Sequence, residues 1–177
     1  KLPPNQKKPE GEGISPGNKL VKKNWPQYYR PDVLGGKTGY TSIALNTLVN
    51  GARQGDTTLI TVILHSNNTQ YEDTSRLLDF GFNNFQSVKI ADYDQTFSNI
   101  GKDLKIADVS TAGGESLSID PDSRVVLPKT ADFSETTTSF DYEIPAGAPD
   151  GTIACVTYSL GEHKVGQAYL TLTDSSQ

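Results

Sequence analysis

The chain has 177 residues, with 16 Lys and Arg against 21 Asp and Glu for a formal net charge of -5, and a mean hydropathy of -0.48. Eight Tyr, six Phe and many aliphatic residues suffice to bury a core, which excludes a disordered polyelectrolyte. The first forty residues hold eight basic against three acidic residues, but in a largely Pro/Gly-rich stretch with no aromatic-interleaved basic stripe after it, which argues against nucleic-acid binding.

In chain order, residues 1–30 read as extended or loop, because "KLPPNQKKPEGEGISPGNKL" contains four prolines and three glycines. From Val33 the pattern turns to strand. "LGGKTGYTS" is followed by two aliphatic runs in "ALNTLVNGARQGDTTLITVILHS", divided at Arg53-Gln54-Gly55-Asp56, which is a hairpin signal with Gly55 free to take positive φ. The run "TLITVILHS" is apolar enough to expect a central strand covered on both faces. In "NNTQYEDTSRLLDFGF" the period becomes helical: Thr69 and Glu72 have capping-box spacing, Tyr71, Leu78 and Phe82 recur on one face, and Gly81 marks the expected stop, so the spacing predicts a helix over about 70–80. From Gln86 the segments "SVKIADY", "LKIADVS", "ESLSIDP", "SRVVLP", "TSFDYEIP", "GTIACVTYSL" and "KVGQAYLTLT" alternate or run apolar between turns, as in a small antiparallel sandwich. The expected organisation is two domains, 1–90 and 91–177.

Several residues capable of chemistry have bland readings. Cys155 is the single cysteine and sits in a strand run as a small hydrophobe. His65 and His163 fall in different domains with no Cys or carboxylate at ligand spacing, so neither a metal nor a cofactor is expected. The Asp92/Asp94 and Asp120/Asp122 pairs read as turns. Trp25 with Tyr28 and Tyr29 reads as a loop anchored on the sheet rather than a carbohydrate platform. No stretch reads as a signal peptide or membrane span, and the absence of Met suggests a processed or partial chain.

One motif stands apart, "GGKTGYT" at Gly35–Thr41. Gly36-Lys37-Thr38 lacks the glycine five positions earlier that a phosphate loop needs, because Pro31 stands there, and strand rather than helix follows. The alternative is the Lys-Thr-Gly strand of active-site serine penicillin-recognising enzymes. The segments "LPPNQKKP", "GNKLV", "GGKTGYTS", "LVNGARQGDTTLITVIL" and "YEDTSRLLDFGF" resemble, in that order, the second half of the catalytic domain of low-molecular-mass penicillin-binding proteins, the serine-type D-alanyl-D-alanine carboxypeptidases. From about Leu104, including "EIPAGAPDGTIACVTYSLGEHKVGQAYL", the chain resembles the β-rich domain that follows in that family. The fold so implied is α+β: a partial penicillin-binding/β-lactamase-like domain, with antiparallel strands and a C-terminal helix, followed by a small all-β sandwich.

The resemblance implies acyl transfer, in which a serine attacks a peptidoglycan stem peptide ending in D-Ala-D-Ala and water releases the acyl-enzyme. Lys37 would enter the cleft from behind the strand as a cation, and Thr38 would offer its hydroxyl to the substrate carboxylate if the strand edge faces the cleft. Gly39 would let substrate backbone lie along the edge, and the Tyr40 amide would donate to the oxyanion. Thr41 and Gln70 complete the expected substrate contacts, and β-lactam antibiotics are the expected inhibitors of the full enzyme. Leu45 stands where the family usually has glycine, and Gln70 where many members have arginine. No SxxK occurs, and Ser66-Asn67-Asn68 spells SxN on the wrong side of the Lys-Thr-Gly strand. The chain is therefore expected to be inactive alone and to need the other half of its catalytic domain or another copy of itself. Its expected location, taken from the family, is outside the bacterial cytoplasmic membrane. A non-catalytic penicillin-binding-like or β-sandwich interaction module remains the alternative.

Overall fold

The computed structural model describes residues 3–4, 6–7, 9–10, 15–94, 105–106, 109–110 and 116–173. They fall into two units, Lys1–Asn83 and Asn84–Gln177.

In the first unit, β1 (Val33–Thr41), β2 (Leu45–Gln54) and β3 (Thr57–Ser66) form an antiparallel sheet in the order β1-β2-β3. The β2–β3 turn falls at Gly55-Asp56, where Gly55 has φ 55° as the hairpin signal requires. Alternation along the strands assigns the faces. Leu48, Asn50 and Ala52 are buried, and they pair with Ile63, Thr61 and Leu59 across β2–β3. Helix α1 (Gln70–Asn84) covers this face with Tyr71, Leu78 and Phe82, which join Leu48, Ala52, Leu59 and Ile63 in the core together with Leu20 and Tyr28 of the preceding segment. Leu20, Leu48 and Leu78, the fully buried leucines among them, contribute about 1.5–3 kcal/mol each.

Three local expectations are revised. The helix does not stop near Phe80 but continues to Asn84 through Gly81. Gly81 sits close against β3: a Cβ on it would overlap Leu59 Cδ1, the tip of a half-buried side chain. At the other end, Glu72 does not close a capping box. Ser66 Oγ accepts from Thr69 N at 3.1 Å, and the Thr69 hydroxyl donates to Asp73 at 2.5 Å. Finally, β3 is covered on one face only. Ile60, Val62 and Leu64 are 75, 54 and 71% exposed, because no described element of this unit lies against the side of the sheet opposite α1.

Arg30 ties the segment ahead of β1 to both sheet and helix. It makes paired hydrogen bonds to Asp32 at 3.1 and 2.8 Å and a 2.7 Å ion pair to Asp79 of α1. The Arg30 guanidinium holds the Asp32 carboxyl below the usual carboxylate range, and Arg30 is itself raised by the same bonds.

The second unit is all β. Strands β4 (Phe85–Lys89), β7 (Ser116–Ile119), β8 (Arg124–Pro128), β9 (Thr137–Asp141), β10 (Thr152–Leu160) and β11 (His163–Thr173) form one antiparallel sheet in the order β4-β8-β11-β10-β9, with β7 also on β11. Short β5 (Lys105–Ile106) and β6 (Val109–Ser110) pair with each other. Ile90, Val125, Leu127, Val156, Tyr158 and Leu170 are sealed in its core. Cys155 is buried on β10, as a small strand hydrophobe should be. No described helix is long and apolar enough to cross a membrane.

Candidate functional site

The Lys-Thr-Gly motif lies on β1, an end strand whose outer edge pairs with no other described strand. Directly paired residues share a face, so the register places its side chains. Lys37 is opposite Val49, which is opposite Val62, and both valines are on the open face. Lys37 is therefore exposed on the open face, and its Nζ donates to the Thr38 carbonyl at 2.6 Å. Thr38 is opposite buried Leu48 and points to the helix-covered face. There the 17–20 segment passes close over it: a Cβ on Gly17 would stand 2.9 Å from Thr38 Oγ1.

Beneath the strand lies a buried polar pair. Asn18 and Asn50 are each 1% exposed, and Asn18 Nδ2 donates to Asn50 Oδ1 at 2.8 Å while Asn18 Oδ1 accepts from Leu20 N at 3.0 Å. A Cβ on Gly36 would overlap the Val49 carbonyl and come within 2.7 Å of Asn50 Oδ1. Gly39 is constrained more softly, since its Cβ would lie 2.6 Å from Thr47 Oγ1, a side-chain hydroxyl on the open face. Gly36 is thus imposed by β2, and Gly39 crowded by it, whether or not a ligand lies along the edge. Asn18, Asn50 and Thr47 escaped the sequence reading because single asparagines and threonines in loops and strands carry no spacing signal. Only the pairing register brings them under the motif.

The remaining motif positions are distributed along one end of the sheet. Tyr40 is 68% exposed and opposite Asn46. The Thr41 hydroxyl oxygen accepts from Ala44 N at 2.8 Å and shapes the β1–β2 turn. Leu45, next in that connection, has φ 52°, a left-handed conformation that glycine adopts without strain. His65 and Asn68, at φ 54° and 70°, lie at the same sheet end, where β3 gains an extra residue against β2 between Leu48–Ile63 and Asn46–Ser66. Ser66 is buried and occupied in the β3–α1 connection, and Asn68 Oδ1 accepts from Asn46 at 3.0 Å, so Ser66-Asn67-Asn68 serves the turn. Gln70 opens α1, with a buried Oε1 that has no hydrogen-bond partner among the described residues.

The aromatic residues before β1 are used internally. Lys19 Nζ lies 4.1 Å from the Trp25 ring centroid, and Tyr28 packs on Tyr71 at 5.0 Å. The Tyr71 hydroxyl donates to the Gly17 carbonyl at 3.3 Å, anchoring the segment that overlies Thr38. The Glu72 carboxylate beside Tyr28 raises its phenol. Among the described residues, no three His, Cys, Asp or Glu side chains converge as a metal site would require.

Neither a protein-family model nor a curated protein matches the chain. Among solved structures it is similar to penicillin binding protein 5 from Haemophilus influenzae, with 24% identity and a TM-score of 0.56 over 81% of this chain and 42% of that one. It is also matched, at TM-scores of 0.43 and 0.39, by the D-alanyl-D-alanine carboxypeptidase DacD from Francisella tularensis (16% identity, 89% of this chain, 38% of that) and by penicillin binding protein 6B from Escherichia coli (21%, 77% and 33%). The chain spans less than half the length of each of these structures. The first likeness shows the fold: this chain has part of the α+β architecture of a penicillin-binding protein.

Proposed function

We propose that this chain is part of a serine-type D-Ala-D-Ala carboxypeptidase and supplies the Lys-Thr-Gly wall of its cleft. The observation that carries the reading is the open face of β1–β3, where Lys37 shares a row with exposed Val49 and Val62, flanked by Ile60 and Leu64. Contiguous apolar residues on a sheet face call for a cover. The element that covers this face, whether the other half of the catalytic domain or another copy of the chain, would meet Lys37 and bring the nucleophile to it.

In that assembly Lys37 supplies positive charge beside the attacking serine and the substrate carboxylate. The unpaired edge of β1 accepts the stem peptide as an added strand, and the Tyr40 amide donates to the oxyanion of the tetrahedral intermediate. Thr38 contacts substrate through the edge beside Gly17 rather than from the open face. Gln70, in place of a cation, leaves Lys37 with more of the carboxylate's charge to balance. Its working place would be the outer face of the cytoplasmic membrane or beyond.

A fluorescent penicillin tests the proposal. The longer protein, carrying an upstream serine, takes a covalent label, Lys37→Ala slows labelling by about a hundredfold or more, and this chain alone takes none. A longer protein that never labels overturns the enzyme reading in favour of a non-catalytic module. That second reading draws on β9, whose five residues are all exposed at a sheet edge.

A further inference from the structure

Strand β9 (Thr137–Asp141) closes one end of the second unit's sheet, paired with β10 from Cys155–Asp141 to Ser159–Thr137 in unbroken register. All five of its residues are exposed, whereas β4, at the other end of the same sheet, is half-buried throughout and finishes on Lys89. An edge strand presents a row of backbone donors and acceptors to any second strand, and proteins guard such edges with lysine, proline or a bulge. Thr137-Thr138-Ser139-Phe140-Asp141 has none of the three, and its threonines and phenylalanine favour strand pairing. Its one charge, Asp141, stands at the end.

The order of these residues makes the strand complementary to itself. Laid antiparallel on a second β9 with full overlap, Ser139 falls opposite Ser139, Thr138 opposite Phe140 and Thr137 opposite Asp141. Aromatic and β-branched residues are favourable cross-strand neighbours, and no like charges meet. Centring the pair on Asp141 instead would set the two carboxylates against each other. The faces match as well. Thr138 and Phe140 lie opposite Tyr158 and Val156 of β10, on the face that carries the core. Across a β9–β9 contact the row Ala168, Val156, Phe140 of one copy would therefore run on into Thr138 and Tyr158 of the other, and Phe140, 41% exposed, would gain cover.

We propose that β9 pairs with β9 of a second copy of this chain, joining the two sheets edge to edge. So short a contact buries less than the about 1,200 Å² of a standard interface, so it is weak, with a Kd on the order of 0.1 mM. Identical chains also repel, since each carries a net charge of -5, and salt screens that repulsion. This inference stands apart from the carboxypeptidase reading, because it needs neither a serine nor acylation and does not involve the open face of β1–β3.

The test is sedimentation of the whole chain between about 10 µM and 1 mM. The expected result is a monomer–dimer equilibrium that tightens severalfold from about 0.05 to 0.5 M salt and weakens about tenfold or more in Ser139→Lys, which sets two lysines face to face at the centre of the contact. Cross-linking reads the register. Cys155 is buried, so Ser139→Cys should be joined by a disulfide under mild oxidation, while Thr137→Cys, about 13 Å from its counterpart along the strands, should not. A chain that stays monomeric at the highest concentration and salt overturns the proposal. So does a dimer indifferent to Ser139→Lys, which would place self-association on another surface, a dimer loosened by salt, or equal cross-linking at both cysteines. The concentration and salt series use the unaltered chain, so they hold even where a variant fails to fold.

Discussion

Asn18 donates a 2.8 Å hydrogen bond to Asn50 with both side chains sealed from solvent, directly below the glycine that precedes Lys37. Asn18→Ala would strand the Asn50 oxygen and the Leu20 amide together, and a buried polar group left without its partner costs about 1–3 kcal/mol. Urea unfolding of the variant should show a free energy lowered by that amount, read as a lower midpoint at an unchanged slope. An unchanged midpoint would mean the pair is not formed.

The contact between Gly81 and Leu59 works against a helix-propensity rule. Alanine in an exposed helix interior gains up to about 1 kcal/mol over glycine. At Gly81 the new methyl would meet Leu59 Cδ1, the tip of a half-buried flexible side chain that has to shift to admit it. Gly81→Ala is therefore expected to gain less than that propensity difference. Leu59→Ala is expected to clear the space and restore the gain in the double variant, so a double-mutant cycle should return a favourable coupling above about 0.5 kcal/mol. Additive effects would show that the two residues do not touch.

The same contact shows where sequence pattern reaches and where it stops. The hairpin at Gly55, the amphipathic face of Tyr71, Leu78 and Phe82, and strands β4 and β7–β11 were legible because periodicity and turn chemistry are local, whereas "LKIADVS", expected as one strand, lies partly outside the described residues and otherwise forms the separate pair β5 and β6. The helix end was not, because Gly81 looks identical whether it terminates a helix or makes room for a leucine on another strand. The open side of β3 was illegible for a different reason: "TLITVILHS" says that both faces need cover, not where that cover comes from. At the site, "KTG" marked β1, yet only register assigned Lys37 to the open face and Thr38 to the side beneath Gly17.

Leu45 offers a test of backbone strain at the turn following the motif. A non-glycine residue in the left-handed region costs about 1–2 kcal/mol, whereas glycine adopts it freely. Side-chain burial complicates a direct comparison with leucine, so the informative pair is Leu45→Ala and Leu45→Gly. The glycine variant should be the more stable of the two by roughly 1 kcal/mol, opposite to the order at a position with ordinary φ. A more stable alanine variant would contradict the left-handed conformation.

Acid lability should concentrate at the start of β1. Asp32 accepts from Arg30 and, at 2.8 Å, from Gln54, and the bonds from Arg30 first of all depress its folded pKa. A group depressed on folding stabilises the fold above its unfolded pKa, near 3.9, and that contribution disappears as pH falls through the lower folded value. Arg30 is raised and stays charged throughout this range, so it adds no slope of its own. The window is therefore about pH 4 and below. Asp32→Asn keeps the shape of the side chain but has no proton to gain, so its unfolding free energy should fall less than that of the parent between pH 5 and pH 2. The difference is limited to about 1 kcal/mol, because Arg30 is also paired with half-exposed Asp79 and such partly solvated ion pairs are weak. Denaturant unfolding at successive pH values measures it, and parallel curves for parent and variant would mean that Asp32 is not held by Arg30 in solution.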